Sequence, residues 1–163
     1  MLRVVEWFVP VDNAAGAVYG VILIGALLAA ESKRHETYLE AESSALIAAA
    51  VFWLAHAYAT VLGWRLGVGA RLSARAVGRA LAQDWNLMTG AAIPLLVLLL
   101  AWLIGAPQSS GVTAALWSVV VSLVLLELIA GLRARLGPWE LALDIAVGAG
   151  LGLAILALKI VLH

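Results

Sequence analysis

From Ser43 to Trp64 the chain runs for 22 residues without a formal charge at neutral pH. At about 1.5 Å per helical residue, such a run can cross the roughly 30 Å hydrocarbon core of a bilayer. Four other apolar runs behave alike, which places candidate spans at 14–30, 44–64, 87–105, 112–132 and 139–158. Membrane β-strands would be about 10 residues long and would alternate polar with apolar side chains. These runs do neither. The expected fold is all-α: an integral membrane bundle of five transmembrane helices, forming one domain over residues 1–163. The first run is the shortest, so four spans plus a re-entrant segment is the alternative. Composition agrees, with 64% hydrophobic and 12% charged residues, where soluble domains carry about 25% charged.

Basic residues set the expected orientation. Arg3, Arg65, Arg71, Arg75, Arg79, Arg133 and Arg135 fall on one side of a five-span topology, and Lys33, Arg34 and Lys159 on the other. The N-terminus is therefore expected in the cytoplasm and the C-terminus outside, in a bacterial-type inner membrane. Trp7, Trp64, Trp85 and Trp139 fall at the arginine-rich boundary, and Trp102 and Trp117 near the opposite one. That suits the preference of indole for the headgroup level. The first run follows Glu6 and Asp12 and ends without a clear cleavage site, so it reads as a retained helix and not as a signal peptide.

The longest cytoplasmic connection carries Arg71, Arg75 and Arg79 at four-residue spacing, with Val77, Ala80 and Leu81 opposite. This pattern predicts a short amphipathic helix within about 66–84, lying on the inner leaflet with its arginines on anionic lipid headgroups. A charged face that only fixes topology is the plainer reading. Membrane lipid is thus the expected partner. Ten basic residues balance ten acidic ones, so no net field points to nucleic acid.

Lipid tails provide no hydrophobic drive for helix association, so small residues that let backbones approach are informative. Gly16-x-x-x-Gly20, Ala55-x-x-x-Ala59-x-x-x-Gly63, Ser118-x-x-x-Ser122 and Gly148-x-x-x-Gly152 lie in four different spans. They predict a tight bundle, a homo-oligomer joined through these faces, or both. Pro94 either kinks the third span or sits in its first turns.

Ionisable groups at membrane depth are functional candidates by default. Tyr19, His56, Glu127 and Asp144 come from four spans and fall in a band of roughly 5 Å, in the inner third of the membrane. Together they would form a polar site for a proton relay or a small divalent cation that accepts nitrogen and oxygen ligands. Separate structural roles compete with this. Glu127 would pair with Arg133 or Arg135. Asp144 and Glu140 would sit at the positive end of the fifth helix behind Pro138. His56 would make one interhelical hydrogen bond, and Asp84 would cap the third span. On the outer side Glu31, His35, Glu36 and Glu40 form a candidate acidic vestibule, with Lys159 near enough in topology to pair with Glu31.

The chain has no cysteine and no motif of a known hydrolase, P-loop, zinc protease or dinucleotide site. It is therefore expected to be neither an enzyme nor a cofactor carrier; the residues name no particular metal. The function these features favour is a homo-oligomeric channel or transporter for protons or a small cation. The alternative is a non-transporting scaffold or regulatory subunit that binds lipid or a partner membrane protein.

Overall fold

A computed structural model describes residues 14–30, 37–68 and 73–162. Among them the only regular structure is helical: α1 (Ala14–Ala30), α2 (Tyr38–Val68), α3 (Ala74–Gln83), α4 (Trp85–Leu103), α5 (Gln108–Arg133) and α6 (Pro138–Leu162). α2, α3 together with α4, α5 and α6 give four stretches long and apolar enough to cross a membrane, and α1 is a shorter apolar helix. Large apolar side chains such as Leu100, Val121, Val147 and Ile160 face outward. Helices that are apolar on the outside as well as the inside belong in lipid. The chain is a helical membrane bundle.

The shortest of the apolar helices lies at the centre. α1 packs against α2, α4, α5 and α6, and only Ala15, Tyr19 and Ala30 of its described side chains are exposed. Its sequence makes this possible. A Cβ on Gly20 would collide with the carbonyl oxygen of Leu87, and one on Gly90 with that of Ala17. α1 and α4 therefore meet backbone to backbone, each lending a glycine to the other. Gly90 also stands four residues before Pro94, whose ring has no N–H to offer its carbonyl; α4 nevertheless continues through Pro94. Around this contact Ile24, Leu28, Leu87, Leu98 and Leu116 are fully buried.

α5 and α6 use the same device. A Cβ on Gly148 would come within 2.8 Å of Glu127 Cγ, and one on Gly152 within 2.8 Å of Val120 Cα. Two of the four small-residue motifs are thus occupied within the chain. The third, Ala55-x-x-x-Ala59-x-x-x-Gly63, faces outward on α2, where a Cβ on Gly63 would meet nothing within 4 Å. In the fourth, Ser122 is buried and Ser118 bonds its own helix at Ala115 O.

The turns at the two ends of α5 explain its antiparallel packing. α4 stops in a Schellman motif, with Ala106 N–H donating to Ala101 O and Gly105 N–H to Trp102 O, and Gly105 at φ 72°. α5 stops the same way, with Leu136 N–H donating to Gly131 O and Arg135 N–H to Leu132 O. There the left-handed position is held by Arg135, at φ 54°. For a non-glycine residue that conformation costs roughly 1–2 kcal/mol.

α3 is the amphipathic helix expected in the connection, but it is shorter than the 66–84 segment. α2 continues to Val68, and α3 begins only at Ala74 behind Ser73, whose hydroxyl accepts from Ala76 N–H. α3 leans on α2: Ala80 is fully buried against Ala57 and Val61, beside Trp64 and Leu81. Trp53 Nε1–H donates to Leu81 O at 3.1 Å, and its ring meets Trp85 edge-on with centroids 5.3 Å apart.

Candidate functional site

The most buried charged side chain described is Asp84, 3% exposed, at the junction of α3 and α4. Its backbone N–H closes α3 on Ala80 O. Its carboxylate makes no capping bond to α4. The expectation that Asp84 caps the third span therefore needs correction: its carboxylate faces α2. Asp84 Oδ1 lies 3.8 Å from His56 Nε2, and Oδ2 accepts from the Thr60 hydroxyl at 3.3 Å. His56 and Thr60 are four residues apart and so share one helical face. The 3.8 Å separation is too long for a hydrogen bond. It is an ion pair when the imidazole is protonated. Tyr19 of α1 stands 6.2 Å from the His56 ring, and Phe52 stacks at 6.4 Å.

Glu127 and Asp144 form a second pair across α5 and α6, close enough to interact electrostatically. Gly148 makes room for the Glu127 side chain, and Gly131 lies beside Asp144 Oδ2. Both carboxyl groups are half-buried. No ion pair joins Glu127 to Arg133 or Arg135 among the described residues.

Of the four residues expected to share one site, Tyr19 lies beside His56, and Glu127 lies near Asp144. α2 packs mainly along α1, α3 and α4, and α1 also packs against α5 and α6. Among the described residues no three His, Asp or Glu side chains gather as metal ligands. The residue that sequence reasoning missed as His56's partner is Asp84, whose second carboxylate oxygen is taken by Thr60. One signal was available, since Asp84-Trp85-Asn86 sets three polar or amphipathic groups directly before an apolar run.

Of the outer vestibule, Glu31, His35 and Glu36 lie outside the described residues, as does Arg71. Glu40 is described and has a local role. Its carboxylate accepts from Thr37 N–H at 2.7 Å while Thr37 Oγ1 accepts from Glu40 N–H at 3.3 Å, a capping box that starts α2. Glu140 likewise accepts from Gly137 N–H at the start of α6. Arg75 and Arg79 are exposed on α3.

Comparison with known proteins finds no family model, no curated protein and no solved structure that matches this chain.

Proposed function

We propose that the chain is a non-conducting membrane scaffold that presents α3 to the anionic headgroups of the inner leaflet. The observation that carries this reading is the seating of α3. A capped helix of 10 residues is docked through Ala80, and its Arg75 and Arg79 project outward. The bundle beneath suits a support. No buried side-chain nitrogen or oxygen lacks a hydrogen-bond partner among the described residues. The Ala55, Ala59 and Gly63 face on α2 would serve a second copy or a partner membrane protein. In this reading the arginine-rich end is cytoplasmic, in a bacterial-type inner membrane, and the chain has no catalytic role.

Each basic side chain near an anionic surface contributes about 1 kcal/mol, or about fivefold in affinity. The Arg75→Gln/Arg79→Gln chain in vesicles should therefore lose most of its preference for phosphatidylglycerol over phosphatidylcholine. An unchanged preference would sink the proposal.

A second reading, a homo-oligomeric proton or cation conduit, is favoured by the interacting carboxyl groups of Glu127 and Asp144 within apolar helices. Assembly would have to supply the passage, and Glu127→Gln would abolish the flux.

A further inference from the structure

The two Schellman turns of this chain solve one geometric problem differently. At one end of the bundle the left-handed position belongs to Gly105, and at the arginine-rich end to Arg135. Glycine takes that conformation without a Cβ penalty, whereas arginine does not. The helix dipole does not account for Arg135, because Arg133 already supplies a cation in the last turn of α5. Neither arginine has an ion-pair partner among the described residues. The carboxylate nearest Arg135 in sequence, Glu140, is engaged by Gly137 N–H.

The surroundings of this turn are those of a bilayer surface. Trp139, in the first turn of α6, has 75% of its surface exposed, and Leu132 is 61% exposed one residue before Arg133. An indole and a leucine so exposed would be unfavourable in water, but they match the headgroup level and the acyl boundary below it. Two cations at the same turn as an indole suit a phosphate, since guanidinium offers paired donors to its oxygens.

We propose that Arg133, Arg135 and Trp139 form a binding site for the headgroup of an anionic phospholipid at the α5–α6 turn. The turn keeps arginine in a glycine position because that conformation carries the guanidinium to the lipid. The inference rests on the reading of the arginine-rich end as facing anionic lipid and adds a site remote in sequence from α3.

The test uses the full chain in phosphatidylcholine vesicles containing bromine-labelled phosphatidylglycerol. Quenching of Trp139, isolated by difference from the Trp139→Phe chain, reports the turn. Quenching of Trp85, isolated the same way, reports the α3 end. Arg135→Gly should raise the melting temperature while the relative affinity read at Trp139 falls about fivefold. Arg133→Gln should lower that affinity similarly, and Arg135→Lys should keep most of it. Added inorganic phosphate at matched ionic strength should leave the quenching unchanged.

A more stable Arg135→Gly chain with undiminished quenching would overturn the proposal, as would a lowered melting temperature for that chain. Displacement by inorganic phosphate would replace the lipid with a soluble anion. If Trp139 is insensitive to these variants while Trp85 still responds to Arg75→Gln/Arg79→Gln, this site falls and the scaffold reading stands. If neither responds, both fall.

Discussion

Asp84 and His56, 28 residues apart in sequence, face each other at 3.8 Å where the α3–α4 junction returns to α2. The contact links a nearly inaccessible carboxylate to an imidazole that is 40% exposed. Among the described residues, His56→Ala would remove the imidazole and leave the Thr60 hydroxyl on the Asp84 carboxylate. Burying a poorly satisfied polar group costs about 1–3 kcal/mol, and the exposure of His56 puts the expected loss at the lower end. Adding Asp84→Asn to His56→Ala should recover part of it, because the charge that needed a partner is gone. Denaturation of the three variants in detergent gives the coupling. Strictly additive losses would show that the two side chains do not interact.

The glycine pair of α1 and α4 makes a sharper demand. Gly20→Ala or Gly90→Ala would drive a methyl into a backbone carbonyl that has no rotamer with which to yield. Overpacking typically costs 1–3 kcal/mol, and about 3 kcal/mol is expected here. Gly63→Ala is the control. With open space around it, that change should be neutral or stabilise by about 0.5–1 kcal/mol through helix propensity. Thermal unfolding should place Gly63→Ala level with or above the parent chain and both core variants below it. Equal stability of Gly20→Ala and Gly63→Ala would contradict the central position of α1.

Trp53 ties α3 to α2 through its indole N–H. Trp53→Phe keeps an aromatic ring but removes that donor, at a net cost of about 0.5–1.5 kcal/mol. The effect should be local. Backbone hydrogen exchange should speed up across 74–83 and stay unchanged in α5. Unaltered exchange in α3 would mean that Ala80 and its neighbours hold the helix unaided.

The capping box at the start of α2 gives a simpler expectation. Thr37→Ala should cost about 1 kcal/mol, as loss of an N-cap does elsewhere. Glu40→Gln should cost less, since a side-chain amide oxygen can still accept from Thr37 N–H. If Glu40 instead belonged to a metal-collecting vestibule, Glu40→Gln would leave stability alone and weaken cation binding.

The spans were legible because bilayer thickness and the absence of water act on every residue of an apolar run. The helix expected at 14–30 is α1 at those same bounds. The arginine spacing likewise disclosed α3, though not its length. The partners of His56 were harder to read. Depth along a helix follows from counting residues, and Tyr19, placed level with His56, does lie beside it. Lateral neighbours depend on which helix occupies the centre, and nothing in the 14–30 run announces that it packs against α2, α4, α5 and α6. Asp84 was misread for a related reason. A residue just before a helix has the composition of a cap, and only the fold-back of α3 onto α2 turns its carboxylate toward His56.

Whether the bundle is a packed support or a conduit is decided most directly by proton flux into vesicles that contain the purified chain. The account predicts that the wild-type chain admits no more protons than empty vesicles do, and that Glu127→Gln is indistinguishable from both. Flux well above that of empty vesicles, and lost in the Glu127→Gln chain, would contradict it.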